Sequence, residues 1–312
     1  MSPRRRHRAT AAPAAAAAVA AALTLSACSG GGGTGDGDGL SVLASFYPLQ
    51  YVAEQVGGDL VDVSSLTPPG AEPHDLELSP AQVDAVGRAD LVVYLSDFQP
   101  SVDGAVEANP PAHVVDAAQD TELHAAEHDA EGDEGDDHDH GSLDPHFWLD
   151  PSRLPAVADD VAAQLAAVDP DHAQDYEANA RAFAQQMADL DAAYAAGLAT
   201  CTSRTIVTTH EAFSYLAERY DLQQVGIAGI DPEGEPSPAR LAEVGRIVQD
   251  EGVGTVFFET LASPKVAEAL ADELGVDTAV LDPLEGLTDD TQDYASVARA
   301  NLETLRTALS CA

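Results

Sequence analysis

PDHAQDYEANARAFAQQMADLDAAYAAGL, residues 170 to 198, reads as one long helical pattern. Tyr176, Phe183, Met187, Leu190 and Tyr194 recur at helical spacing and fall on one face. No proline follows Pro170 within the run. A helix of roughly 29 residues spans about 40 Å at 1.5 Å per residue. That length predicts a rigid spine between two lobes rather than a loose linker. A shorter helix, Leu154 to Val168, leads into it. Residues 153–200 therefore form a linking helical segment, with the spine at about 170–198.

Upstream, strand and helix patterns alternate. Leu40 to Phe46 is a short apolar, β-branched strand candidate, followed by a helix-like stretch from Leu49 to Val56. Asp59 to Leu66 is a second strand, closed by the turn signal Pro68-Pro69-Gly70. Ser79 is placed to cap a helix that opens on Pro80 and runs to about Ala89. Leu91 to Leu95 and Val114-Val115 are further strands. Downstream the alternation repeats. Strands are expected at Thr205–Thr209, Gln223–Gly226, Thr255–Phe258 and Thr278–Leu281. Helices are expected at Ala212–Tyr220, Pro238–Gln249, Pro264–Leu274 and about Thr291–Leu309. The fold class is α/β: two lobes, each with a mainly parallel sheet, residues 40–152 and 201–312, with a site in the cleft between them. Ligands in open α/β sheets sit at the carboxyl ends of the strands.

The ends and the charge bound the function. A formal charge of -40 over 312 residues excludes a nucleic-acid partner held through phosphates, which needs Lys and Arg. It also opposes docking on an anionic bilayer by a basic patch, and it raises the local concentration of cations. Arg4, Arg5, Arg6 and Arg8 precede an Ala-rich apolar run, and Leu25-Ser26-Ala27-Cys28 resembles a lipobox. Residues 1–27 are thus expected to be a lipoprotein signal, with Cys28 lipidated and the protein held outside the cytoplasm on the cell membrane. The Gly/Asp run of residues 28–39 is a flexible tether. Apart from Cys28, Cys201 and Cys311 remain. An even remainder outside the cytoplasm suggests one disulfide, with two free thiols or thiolate ligands as the alternatives.

Ten His are present. His74 lies in Gly70-Ala71-Glu72-Pro73-His74-Asp75, between a strand and the Ser79-Pro80 helix start. His146 lies in Asp144-Pro145-His146-Phe147-Trp148-Leu149-Asp150-Pro151, which holds the chain's one Trp. His210 ends the Thr205 strand, in Thr209-His210-Glu211-Ala212-Phe213. Each stands where it would project toward a common cleft. Asp282 or Glu285, after the last strand, could supply a carboxylate, although Asp282 before Pro283 is also a good turn-former. Three imidazoles and a carboxylate suit four-coordinate zinc, whereas manganese prefers more oxygen. Glu211 and Glu259 are candidates to hold a ligand from behind; for Glu211 an ordinary surface or cap role is preferred.

With these motifs the chain resembles the ZnuA/AdcA-type metal receptors of bacterial ABC importers, from Leu40 to Ser310. Gly229-Ile230, Glu235-Pro236-Ser237, Phe257-Phe258-Glu259 and Leu281-Asp282-Pro283-Leu284-Glu285 match as well. The resemblance implies two lobes joined by a long helix, with metal bound between them. It implies His74, His146 and His210 as ligands and Glu285 as the fourth. It implies delivery of Zn(II) to a permease and, through it, to an ATPase, with no catalysis and a monomeric chain. Manganese members usually carry a carboxylate where this chain has His210, which favours zinc. Zinc members commonly carry a His- and acid-rich loop before the second motif, and residues 124–141 fit it. His124, His128, His138 and His140 there would collect zinc weakly, against the alternative of a solvated spacer. Some relatives carry a further zinc-capturing domain, and none is expected after Ala312.

Other readings stand beside this one. The same receptor could serve manganese or iron. A zinc hydrolase needs an open coordination position and a general base, but there is no HExxH and Glu285 would close the fourth position. An adhesin or structural lipoprotein would not require three His at strand ends.

Overall fold

The computed structural model describes residues 39–125, 143–261 and 263–312. The export signal, Cys28, almost all of the tether, and His128, His138 and His140 lie outside the described residues.

Two four-stranded parallel sheets organise the chain. The first contains β1 (Leu40–Ala44), β2 (Val61–Ser65), β3 (Leu91–Tyr94) and β4 (Val114–Asp116), in the order β2-β1-β3-β4. The second contains β5 (Thr205–Thr208), β6 (Gln223–Gly226), β7 (Thr255–Phe258) and β8 (Asp277–Val280), in the order β6-β5-β7-β8. The two orders are the same, and in each the chain reverses direction across the sheet beside its first strand. In register, Val42 pairs with Val63 and Leu91, and Val207 with Val225 and Val256. Central strands are buried on both faces, as the runs LVVY and TIVT require. The edge strand β2 alternates instead, and at the other edge Val280 of β8 is 41% exposed.

Ten helices join the strands in the described residues. Helix α1 (Tyr47–Gly57) follows β1, and α2 (Pro80–Val86) opens as expected, Ser79 and Gln82 forming a capping box. Helix α3 (Pro100–Ala108) is absent from the sequence reading, because only Val102 and Ala105 are buried and Gly104 interrupts it. A short α4 (Ala117–Asp120) was likewise not expected. Helix α5 (Leu154–Val168) matches its expected bounds. The spine, α6, is shorter than expected: it runs Ala173–Gly197, because Pro170–His172 form a 3-10 turn in front of it. Then come α7 (Ser214–Arg219), α8 (Pro238–Glu251), α9 (Lys265–Leu274) and α10 (Tyr294–Ala308). Helices α8 and α9 stop at Gly252 and Gly275, both in the left-handed region that glycine enters without strain.

Helix α6 crosses from one sheet's helices to the other's. Tyr176, Ala180, Phe183, Met187, Leu190 and Tyr194 are all buried. Near its start the Asn179 amide donates to the Val56 carbonyl of α1, and near its end the Tyr194 hydroxyl donates to the Ala298 carbonyl of α10. Burying Phe183, Met187 or Leu190 contributes about 1.5–3 kcal/mol each. The main core runs without a break from Val42 and Leu91 through α5 and α6 to Ile206, Phe257, Leu281 and Tyr294. Asp38–Ala312 accordingly forms one compact unit. A disulfide joins Cys201 to Cys311, as the cysteine count suggested, and fastens the end of α10 beside the end of α6.

Candidate metal centre

Each cluster residue follows a short element that fixes its direction. His74 lies in the loop between β2 and α2, where the buried Gln99 amide donates to the Pro73 carbonyl (3.0 Å) and to the Thr67 hydroxyl (3.1 Å). His146 stands just before the 3-10 turn Phe147–Leu149. His210 comes two residues after β5, and Glu285 comes after β8. The Glu285 loop is pinned on both sides. The Trp148 indole N–H donates to the Pro283 carbonyl (2.8 Å). The Asn301 side chain of α10 accepts from the Asp282 N–H (3.0 Å) and donates to its carbonyl (2.7 Å). Just after them Leu284 is held at φ +60°, where non-glycine residues are uncommon.

These loops bring His74, His146, His210 and Glu285 together. One donor atom from each lies within 4.8 Å of the others. Glu285 Oε1 is 3.3 Å from His74 Nε2, 3.1 Å from His146 Nε2 and 3.6 Å from His210 Nε2. His210 Nε2 is 3.4 Å from His146 Nε2. Four donors about 2.0 Å from one zinc at the corners of a tetrahedron stand about 3.3 Å apart. The three distances to Glu285 Oε1 and the one between His146 and His210, 3.1–3.6 Å, are close to that spacing, so the donor set suits a small four-coordinate cation. The walls are dry: Phe98 packs edge-on to His74 with ring centres 4.8 Å apart, and Trp148 lies 5.1 Å from the His146 ring.

Carboxylates behind the imidazoles fix their tautomers. His146 Nδ1 is 2.7 Å from Asp144 Oδ1, and His210 Nδ1 is 2.6 Å from Glu259 Oε1. Each Nδ1–H donates outward, so Nε2 is the atom turned to the centre, on Glu285 in the metal-free protein and free to take a cation once its proton is lost. Asp144 is itself held by the Ser214 hydroxyl of α7, and its carbonyl accepts from Tyr215 (2.7 Å). Burial opposes charge on His210, but hydrogen bonds to Glu259 and Glu285 outweigh it and push the imidazole up to about 10. His146 is raised in the same way, burial being overcome by Asp144 and Glu285. For His74 burial wins and its value falls. Burial would raise Glu285, yet the three His hold it well below the usual carboxylate range.

The remaining candidates fall elsewhere. Glu259 backs His210, as anticipated. Asp282 stands apart from the cluster as the turn-former: its carboxylate accepts from the Leu284 N–H and the Thr260 hydroxyl, both at 2.8 Å. Glu211 pairs with Arg240 at 3.4 Å. The His124 ring stacks on Tyr215 with centres 4.4 Å apart, its Nε2 3.1 Å from Arg153 and its Nδ1 3.3 Å from Glu218. Asp144, Gln99 and Glu72 were missed as supporting residues. Asp144 and Glu72 sit inside the motifs that flagged the ligands, and their proximity to His146 and His74 was the only signal. Glu72 accepts the His74 N–H at 2.9 Å, and burial together with the nearby Glu285 pushes its carboxyl up to about 8.

The chain is similar to known proteins. Residues 42–308 match the family described as ZnuA, the periplasmic zinc-uptake complex component A. Zinc-binding protein AdcA of Streptococcus pyogenes is 36% identical over 288 residues, covering 86% of this chain and 55% of that protein. The chain thus spans about half the length of that relative. The high-affinity zinc uptake system protein ZnuA of Bacillus subtilis is 35% identical over 280 residues, covering 86% of this chain and 88% of that protein. The crystal structure of the Zn(II)-bound ZnuA-like domain of Streptococcus pneumoniae AdcA superposes with a TM-score of 0.72 at 35% identity, covering 87% of this chain and 99% of that one.

Proposed function

The chain belongs to the ZnuA family, and from that premise we propose that it is a receptor that captures Zn(II) through His74, His146, His210 and Glu285 and passes it to the permease of an ABC importer. The observation that carries this reading is the convergence of those four donors, from four separate loops, to within 4.8 Å of one another. Three imidazoles and one carboxylate favour zinc over manganese, whose sites are richer in oxygen. The receptor role is preferred to hydrolysis because Glu285 Oε1 stands where an activated water would have to bind. Capture without chemistry asks only for a tight, reversible site.

Placement outside the cytoplasm, on a lipidated Cys28, belongs to the same proposal. The Cys201–Cys311 disulfide supports it, since such bonds persist in oxidising compartments. Among the described residues no helix is long and apolar enough to cross a membrane. The acidic run with His128, His138 and His140 is proposed as an auxiliary collector that feeds the main site.

The test is equilibrium titration with zinc. Calorimetry on protein lacking residues 126–142 should give one tight site per chain. The melting temperature should rise with bound zinc, because a ligand of the folded state alone stabilises it. His210→Ala should abolish most of that rise. A variant that keeps the full zinc-induced shift would overturn the ligand assignment.

A further inference from the structure

The four donors are not equally enclosed. The His146, His210 and Glu285 side chains are 0%, 0% and 1% exposed, whereas the His74 side chain is 13% exposed. An ion reaching the cluster therefore meets His74 first. A cavity of about 300 Å³ has Glu72, Thr209, Ala228, Glu233, Glu235 and Leu261 among its lining residues. Its floor adjoins the cluster, since the Thr209 hydroxyl donates to Glu259, the carboxylate that holds His210. A larger cavity of about 790 Å³ touches Glu285, but it ends on a side chain that is 1% exposed and already engaged by three imidazoles.

Glu72 lines the smaller cavity and is also bonded to His74. Its Oε2 is fixed by the His74 N–H at 2.9 Å. Its Oε1 is buried and has no hydrogen-bond partner, and it lies 4.0 Å from His74 Nε2. A buried carboxylate oxygen left without a donor is costly and calls for an explanation. Glu72 lies outside the group of four whose donors converge. Fixed on one oxygen and bare on the other, the carboxylate faces the one donor that solvent reaches.

We propose that Glu72 is a transit ligand, whose free oxygen takes the cation from the cavity and hands it to His74 and the sealed donors behind. This rests on the zinc reading above and extends it from where the ion rests to how it arrives. A group that lowers the barrier for entry lowers it equally for exit, so Glu72 sets both rates and leaves their ratio to the four resident ligands.

The experiment is stopped-flow zinc association, and dissociation into excess chelator, on the chain and on Glu72→Gln. Glutamine keeps the acceptor for the His74 N–H and the volume, and removes the oxygen that a cation can claim by displacing the carboxyl proton. Measurement at about 0.5 M salt screens long-range attraction. Both rate constants should fall by the same factor, roughly tenfold for each ~1.4 kcal/mol of barrier that the carboxyl removes. Unchanged rates would overturn the proposal. So would a rise in dissociation alone, which would make Glu72 a resident ligand. A defect seen only at low salt would also overturn it, reducing Glu72 to one charge in a general field. Glu72→Asp, which withdraws the carboxylate by one methylene, serves if the glutamine variant does not fold. Absence of a tight zinc site in the unaltered chain would instead defeat the parent reading.

Discussion

His146 is held from two ends, its Nε2 toward Glu285 and its Nδ1 on Asp144. Asp144→Asn leaves the four donors in place but removes the charge that fixes the tautomer. It should weaken zinc binding by about 10–100-fold, measured by competition with a chelator. Protons compete at the same atoms. The metal-free fold gains from the His210 proton below its unfolded value of about 6.5, and loses that gain as pH rises toward about 10. Zinc needs the neutral imidazole, so its affinity should move the other way, rising between about pH 6 and pH 9. Calorimetry at pH 7 in buffers of different ionisation enthalpy should show protons released on binding. An affinity independent of pH would argue against imidazole ligands. The three His stood out in the sequence through their motifs, whereas Glu285 was preferred to Asp282 only through the family resemblance. The roles of Asp144 and Glu72 were not legible, since adjacency in the chain does not say which way a side chain turns.

At the level of the element, the loop carrying Glu285 is the most constrained piece of the site. Leu284 at φ +60° costs on the order of 1–3 kcal/mol, and it persists because Trp148 and Asn301 grip the peptides before it. Asn301→Ala deletes both hydrogen bonds to Asp282 and should destabilise the fold by about 1–3 kcal/mol. It should also lower zinc affinity, although Asn301 is not a ligand. Chemical denaturation and zinc titration on the same variant check both. Wild-type affinity would show that Glu285 is positioned without this clamp. Strands and most helices were readable because buried parallel strands give short apolar runs and helices give spaced ones. Helix α3 was not, with two buried residues and a glycine inside it. Pro170 misled at the spine's start, because a first-turn proline suits a 3-10 turn as well as an α-helix.

For the molecule as a whole, the sequence suggested two lobes and a rod, and the sheets confirm that pattern. It could not show that one apolar core passes through all three. Tyr51 of α1 stacks on Tyr294 of α10 with ring centres 5.4 Å apart, and both belong to that core. Separating the halves would expose it, so the folded part should melt in a single transition with calorimetric and van't Hoff enthalpies in agreement. Two resolved transitions would mean that the halves are independent. Reducing Cys201–Cys311 should lower the transition by a loss of about 2–5 kcal/mol without splitting it.

Trp148 has a consequence of another kind. It is the chain's one tryptophan, it is fully buried, and its indole is bonded to the loop that carries Glu285 while its ring centre lies 5.1 Å from that of His146. Its emission therefore comes from a single place, a few ångströms from where the ion would settle. Exchanging a proton on that neighbouring imidazole for a metal alters the field and the quenching at the indole. The unlabelled protein carries its own optical gauge of cargo, fast enough to follow loading and unloading in real time.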